Sequence, residues 1–134
     1  MEDKMTEQEF VTKATDLTKQ IVDAIADKEY TKLASLAQID SSWAEEGQTQ
    51  EEAFASFGEW LDGQLAMWEE DEERSFVVDH FDESCLEEIV LEEDNTFFTT
   101  YNPTNAGEEL DFWFELKYRI ENDEHIIVTL NVNI

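Results

Sequence analysis

The sequence predicts an α+β domain: two or three N-terminal helices packed on one face of a curved antiparallel sheet of four to five strands. Three observations predict it. Apolar residues recur at steps of three and four in the first half, at Phe10, Ala14, Leu17, Ile21 and Ile25 and again at Phe54, Phe57, Leu61, Leu65 and Trp68. After Arg74 the period falls to two, most cleanly at Phe112, Phe114, Leu116, Tyr118 and Ile120. The breaks between the late apolar runs are short, which favours antiparallel hairpins over crossovers. With no Gly/Pro/Ser-rich linker and no internal repeat in 134 residues, the chain reads as one domain, 1–134.

The first helix is expected over 6–27. Thr6 and Glu9 have the spacing of a capping box, and Met5 and Phe10 flank it as a hydrophobic staple. A turn at 27–29 leads to a short second helix carrying Tyr30, Leu33, Leu36 and Ala37. Residues 39–49 read as a loop from which Trp43 folds back onto the core. Thr49 and Glu52 repeat the capping spacing and open the third helix. Gly58 and Gly63 weaken that helix by roughly 1 kcal/mol each relative to alanine, and permit another element to approach it closely. The carboxylates at 69–73 oppose the helix macrodipole, so the expectation is early fraying into a solvated loop.

Strands are expected at 76–81, 85–93, 96–101, 110–120 and 126–133, with a loop at 102–107. In the fourth strand Phe112, Phe114, Leu116, Tyr118 and Ile120 share the inward face, and Asp111, Trp113, Glu115, Lys117 and Arg119 share the outward one. In the last, Ile126, Val128, Leu130 and Val132 point inward.

Charge bounds the partners. The net charge is −27, from 35 acidic and 8 basic side chains, and five of the bases are lysines within the first 32 positions. Between Leu33 and Leu116 stand 24 acids and one base, Arg74. Nine Phe and four Trp set the chain apart from disordered acidic tails, so it folds despite the repulsion. Nucleic-acid phosphates and anionic lipid surfaces are repelled by such a surface. The expected partners are cationic, foremost a basic protein. The N-terminus lacks the apolar core of a signal peptide, no stretch approaches a membrane span, and Cys85 has no second cysteine to pair with. The resulting expectation is a cytoplasmic protein that contacts neither membrane nor nucleic acid.

Chemistry-bearing motifs are sparse. The four glycines are too scattered for a phosphate loop, and no acidic run has the spacing of a calcium loop, so no cofactor and no metal site is expected. The densest cluster is Asp79-His80-Phe81-Asp82-Glu83. His80 and Asp82 share a face if the strand continues through them, an arrangement open to divalent-metal binding or general-base work. The plainer reading is a strand end entering a solvated turn. Cys85 lies beside Glu83 and Glu87, whose charge disfavours a thiolate. His125 sits in an acidic turn at the surface. No catalytic residue is assigned.

The stretch Ile21-Val22-Asp23-Ala24-Ile25-Ala26-Asp27-Lys28-Glu29-Tyr30-Thr31-Lys32-Leu33-Ala34-Ser35-Leu36, followed by a helix and then strands, resembles the opening of NTF2-like and cystatin-like domains. Those domains place a strand between their helices, and none is recognisable here by pattern. The resemblance implies a pocket between helices and sheet, which Trp60, Trp68, Phe112, Phe114 and Tyr118 would line, and a homodimer through the sheet. It covers small enzymes, ligand carriers and interaction modules alike, so it does not choose a function. An exposed Trp113 between Asp111 and Glu115 would anchor a cationic surface by burial and cation–π attraction.

Two functions follow as expectations. The first is a non-catalytic acidic binding protein that neutralises a basic protein, as an immunity-type inhibitor or a nucleic-acid mimic does. The second is a small NTF2-like enzyme or apolar-ligand carrier, for which Asp79, His80 and Tyr118 are the available polar groups.

Overall fold

A computed structural model of the chain describes residues 7–40, 43, 46–72, 78–93, 96–110, 112–121 and 125–133. The first helix, α1 (Glu7–Ala26), buries Phe10, Ala14, Thr18, Ile21, Val22 and Ile25. The apolar stripe is therefore the predicted one, rotated so that Thr18 is fully buried and Leu17 only partly so. The capping pair at Thr6 and its staple at Met5 lie outside the described residues. At the C-terminus Lys28 takes a left-handed φ of 60°. The Glu29 amide then reaches the Ala24 carbonyl at 2.8 Å and the Lys28 amide the Ile25 carbonyl at 3.1 Å, a Schellman closure. A 3-10 segment follows at Tyr30–Ser35, where a second helix is expected.

The residues next in line correct two expectations. Gln38–Ile39 forms strand β1 across the start of the stretch read as a loop, and it runs parallel to the last strand. The sheet is thus mixed, not wholly antiparallel. Two residues are too few to show an alternation, so the strand is invisible to periodicity. The register pairs Gln38 with Thr129 and Ile39 with Leu130, and two hydrogen bonds fasten its end: the Ile39 amide donates to Gln50 Oε1 at 2.8 Å, and the Asp40 amide donates to the Leu130 carbonyl at 2.8 Å.

Helix α2 (Gln50–Glu72) begins at the predicted capping box. The Glu52 amide donates to Thr49 Oγ1 at 3.1 Å, and the Thr49 amide donates to Glu52 Oε1 at 2.9 Å. The helix does not fray at 69 but runs on to Glu72. Trp68 stacks on Phe112 with centroids 5.9 Å apart, and burying two such rings outweighs a surface dipole penalty of roughly 0.3–1 kcal/mol.

Of the strand expected at 76–81, residues 76–77 lie outside the described residues, and 78–81 are irregular. The 85–93 strand shrinks to β2 (Val90–Glu93), preceded by a 3-10 turn at Glu83–Cys85. Asp82 caps that turn by accepting from the Ser84 amide at 2.9 Å, a local bond that competes with ladder formation. β3 (Thr96–Tyr101), β6 (Trp113–Glu121) and β7 (His125–Asn133) follow prediction closely. The stretch expected as a loop at 102–107 instead begins a hairpin of β4 (Thr104–Asn105) and β5 (Glu108–Glu109). Its two linking residues, Ala106 and Gly107, both have positive φ, as a type I′ turn requires.

The five-stranded sheet has the order β1-β7-β6-β3-β2. Across its inward face Tyr118 sits between Phe97 and Val128, Leu116 between Thr99 and Leu130, and Phe114 between Tyr101 and Val132. Phe10 of α1 contacts Phe97 and Tyr118, and Phe57 of α2 contacts Phe114, so both helices cover the same face. Among the described residues no helix is long and apolar enough to cross a membrane.

Candidate functional site

Of the five residues proposed to line an inner pocket, Trp60, Trp68, Phe112 and Phe114 form one chain of ring contacts. Trp60 and Trp68 of α2 both contact Phe112, at 6.1 and 5.9 Å between ring centroids, and Phe112 contacts Phe114 at 5.5 Å. Trp43 extends the stack, 5.2 Å from Trp60 and 5.8 Å from Phe57, with its indole N–H donating to Asn131 Oδ1 at 3.0 Å. Tyr118 stands apart under α1, edge-on to Phe10. Its hydroxyl is bonded to that of Thr18, which in turn donates to the Ala14 carbonyl at 2.8 Å. One proton per hydroxyl makes Tyr118 the donor in that short pair. Burial pushes the Tyr118 phenol up to about 12, so it stays protonated at neutral pH.

The acidic cluster also disperses. Asp79 turns to the β4–β5 hairpin: Oδ2 accepts from Thr104 Oγ1 at 2.8 Å and from the Gly107 amide at 2.9 Å, and Oδ1 accepts from the Ala106 amide at 3.0 Å. Burial works against its charge, but those three bonds prevail and hold the carboxyl below its ordinary value. His80 Nε2 instead meets Asp27 Oδ1 at 2.8 Å, at the end of α1, and the adjacent Phe81 amide donates to Asp23 Oδ1 at 2.8 Å. Asp82 is held by the Ser84 amide and hydroxyl. Glu83 opens the 3-10 turn and is exposed. Asp79, His80 and Asp82 are thus tied to three different parts of the chain. Among the described residues no three His, Cys, Asp or Glu side chains are placed to hold a metal ion. The Cys85 thiol is pushed up by burial first and by the Asp82 carboxylate second, so its thiolate is disfavoured for a reason only partly seen in sequence. His125 opens β7 opposite Glu121.

Carboxylates dominate the exterior. None is buried among the side chains described. The exposed side of α2 presents Glu51, Glu52, Glu59, Asp62 and Glu70, and the helix contains no Lys or Arg. Within this acidic strip Met67 is 59% exposed. The strip lies on the helical side of the sheet. Trp113, 39% exposed, and the half-buried Glu115 lie on the other side, and Asp111 lies outside the described residues.

That other, helix-free face is where sequence reasoning stopped short. Lys117 and Arg119 point outward from the middle of β6, flanked by Thr129 and Phe98 and by Ile127 and Thr96. Two depressions open there. One, of about 210 Å³, is lined by Gln38, Thr96, Lys117, Tyr118, Arg119, Ile127 and Thr129. The other, of about 340 Å³, is lined by Asp40, Phe98, Glu115, Lys117, Thr129 and Asn131. The signal for them was legible: only three bases follow Lys32, and two of these stand two residues apart on a strand, hence on one face. Gln38 was not legible, because its strand was not. No family model, curated protein or solved structure matches the chain.

Proposed function

We propose that this chain is a non-catalytic binding protein that neutralises a basic protein through the carboxylate strip of α2. The observation that carries the reading is the exposure of Glu51, Glu59, Asp62 and Glu70 along one helix that has no basic residue of its own. Lys28 pairs with Asp62 at 3.7 Å, whereas Glu51, Glu59 and Glu70 have no basic residue on their own helix, so an incoming cationic surface supplies their counter-charge. Exposed Met67 supplies an adaptable apolar contact inside the strip. Such a surface accelerates association and makes it steeply salt-dependent. The architecture is read as NTF2-like or cystatin-like, a reading supported by β1, which lies where those domains place a strand between helices.

The test compares wild type with a Glu51→Lys/Glu59→Lys/Glu70→Lys variant in a low-salt pull-down from the native lysate. Glu52 and Asp62 are spared because they serve the helix cap and the Tyr30 hydroxyl. The expected result is a basic protein retained by wild type, released by added salt and not retained by the variant. Equal retention by both proteins, or retention of no basic protein, overturns the reading.

A further inference from the structure

We propose that the helix-free face of the sheet holds a binding site for a small organic anion, recognised through one carboxylate or phosphate group. The inference is independent of the α2 reading, since the two surfaces lie on opposite sides of the sheet. It rests on the composition of one depression. In a chain with 35 acidic residues, the cavity of about 210 Å³ is lined by no carboxylate among the described residues. Its polar side chains are two cations, Lys117 and Arg119, two hydroxyls, Thr96 and Thr129, and the amide of Gln38, every one of them able to donate a hydrogen bond.

Geometry prepares the two cations differently. Arg119 donates from one terminal nitrogen to Glu121 Oε2 at 2.9 Å, which fixes the guanidinium and leaves its other N–H groups for a ligand. The Lys117 ammonium makes no ion pair or hydrogen bond among the described residues. Charge-assisted bonds from both would converge on one anionic group, with Ile127 against the carbon body. The adjoining depression shares Lys117 and Thr129 but adds Asp40 and Glu115. Those carboxylates repel a second negative charge, so the site favours a singly anionic ligand over a polyanion.

The experiment titrates full-length protein with acetate and, separately, inorganic phosphate at constant ionic strength in sodium chloride, following backbone amide shifts by NMR. Saturable shifts at Thr96, Lys117, Arg119 and Thr129 are expected, with acetate if the recognised group is a carboxylate and with phosphate if it is a phosphate. Lys117→Gln should weaken binding about tenfold while leaving the melting curve unchanged, because Lys117 is exposed; Lys117→Arg should restore binding. Three results overturn the proposal. The shifts follow chloride equally, Lys117→Gln binds as wild type does, or the same amides shift with protein concentration and no added anion, which marks the face as a contact between two copies.

Discussion

Gly58 and Gly63 stand in the same helix, yet their surroundings oppose each other. A Cβ on Gly58 would fall 2.2–2.7 Å from ring atoms of Tyr30, a ring held at both ends. Its hydroxyl is bonded to Asp62 Oδ1 at 2.8 Å and its ring stands perpendicular to that of Phe57, centroids 6.1 Å apart. Gly58→Ala should therefore destabilise the protein by roughly 1–3 kcal/mol through overpacking. Gly63 has no atom near the same position, so Gly63→Ala should gain the helix propensity, roughly 0.5–1 kcal/mol. Urea denaturation of the two variants checks both signs, and variants that shift in the same direction refute the account. Lys28 offers a third case. Its left-handed conformation costs roughly 1–2 kcal/mol, whereas its exposed ion pair with Asp62, at 3.7 Å, is worth about 1 kcal/mol at most. Lys28→Gly should raise stability by roughly 0.5–1 kcal/mol, and a lowered denaturation midpoint would count against this. The sequence shows that α2 carries two glycines. It does not show which one faces an aromatic ring, because Tyr30 comes from another element.

The elements that pattern reveals are the long ones. α1, α2, β3, β6 and β7 each carry enough apolar repeats for the period to be read, and their bounds lie within a few residues of expectation. What escaped is short or held by single side chains. β1 and the β4–β5 hairpin are built from two-residue strands, and the hairpin depends on Asp79, 25 positions before its partner Thr104. That clamp has a pH signature. The folded-state pKa of Asp79 lies below its unfolded value of about 3.9. Its contribution is therefore complete above that value and is lost as the pH falls through the lower folded-state one. Asp79→Asn puts an amide donor where a second acceptor oxygen stood, and should cost about 1–2 kcal/mol at neutral pH after allowance for partial exposure. The difference between wild type and variant should narrow below about pH 4. Chemical denaturation at a series of pH values measures it, and a gap that widens on acidification would disprove the clamp. The dispersal of the Asp79–Glu83 run has the same cause: adjacent residues in an irregular segment point to separate partners, so proximity in sequence did not become a site.

Across the whole molecule the charges divide by face. α1 mixes signs, with Lys13 and Lys19 beside Glu9, Asp16 and Asp23, whereas the exposed side of α2 is acidic with no base of its own and meets Lys28 at Asp62. The helix-free sheet face carries both signs along β6, with Lys117 and Arg119 between Glu115 and Glu121. A net charge of −27 on a body this small destabilises the folded state, because unfolding moves the carboxylates apart. Salt acts on two terms of opposite sign. It weakens the exposed pairs Lys19–Asp23, Lys28–Asp62, Lys32–Glu29 and Arg119–Glu121, each worth about 1 kcal/mol at most. It also screens repulsion among many carboxylates at once, beyond a distance of about 10 Å at 0.1 M and about 8 Å at 0.15 M. With acids outnumbering bases 35 to 8, the second term is the larger. The melting temperature should thus rise as sodium chloride is added from low to moderate concentration, and tetramethylammonium chloride should reproduce the rise at equal ionic strength, since screening needs only charge. A flat or falling melting temperature would show that the carboxylates do not oppose folding. A rise with sodium alone would point to specific cation binding in place of screening.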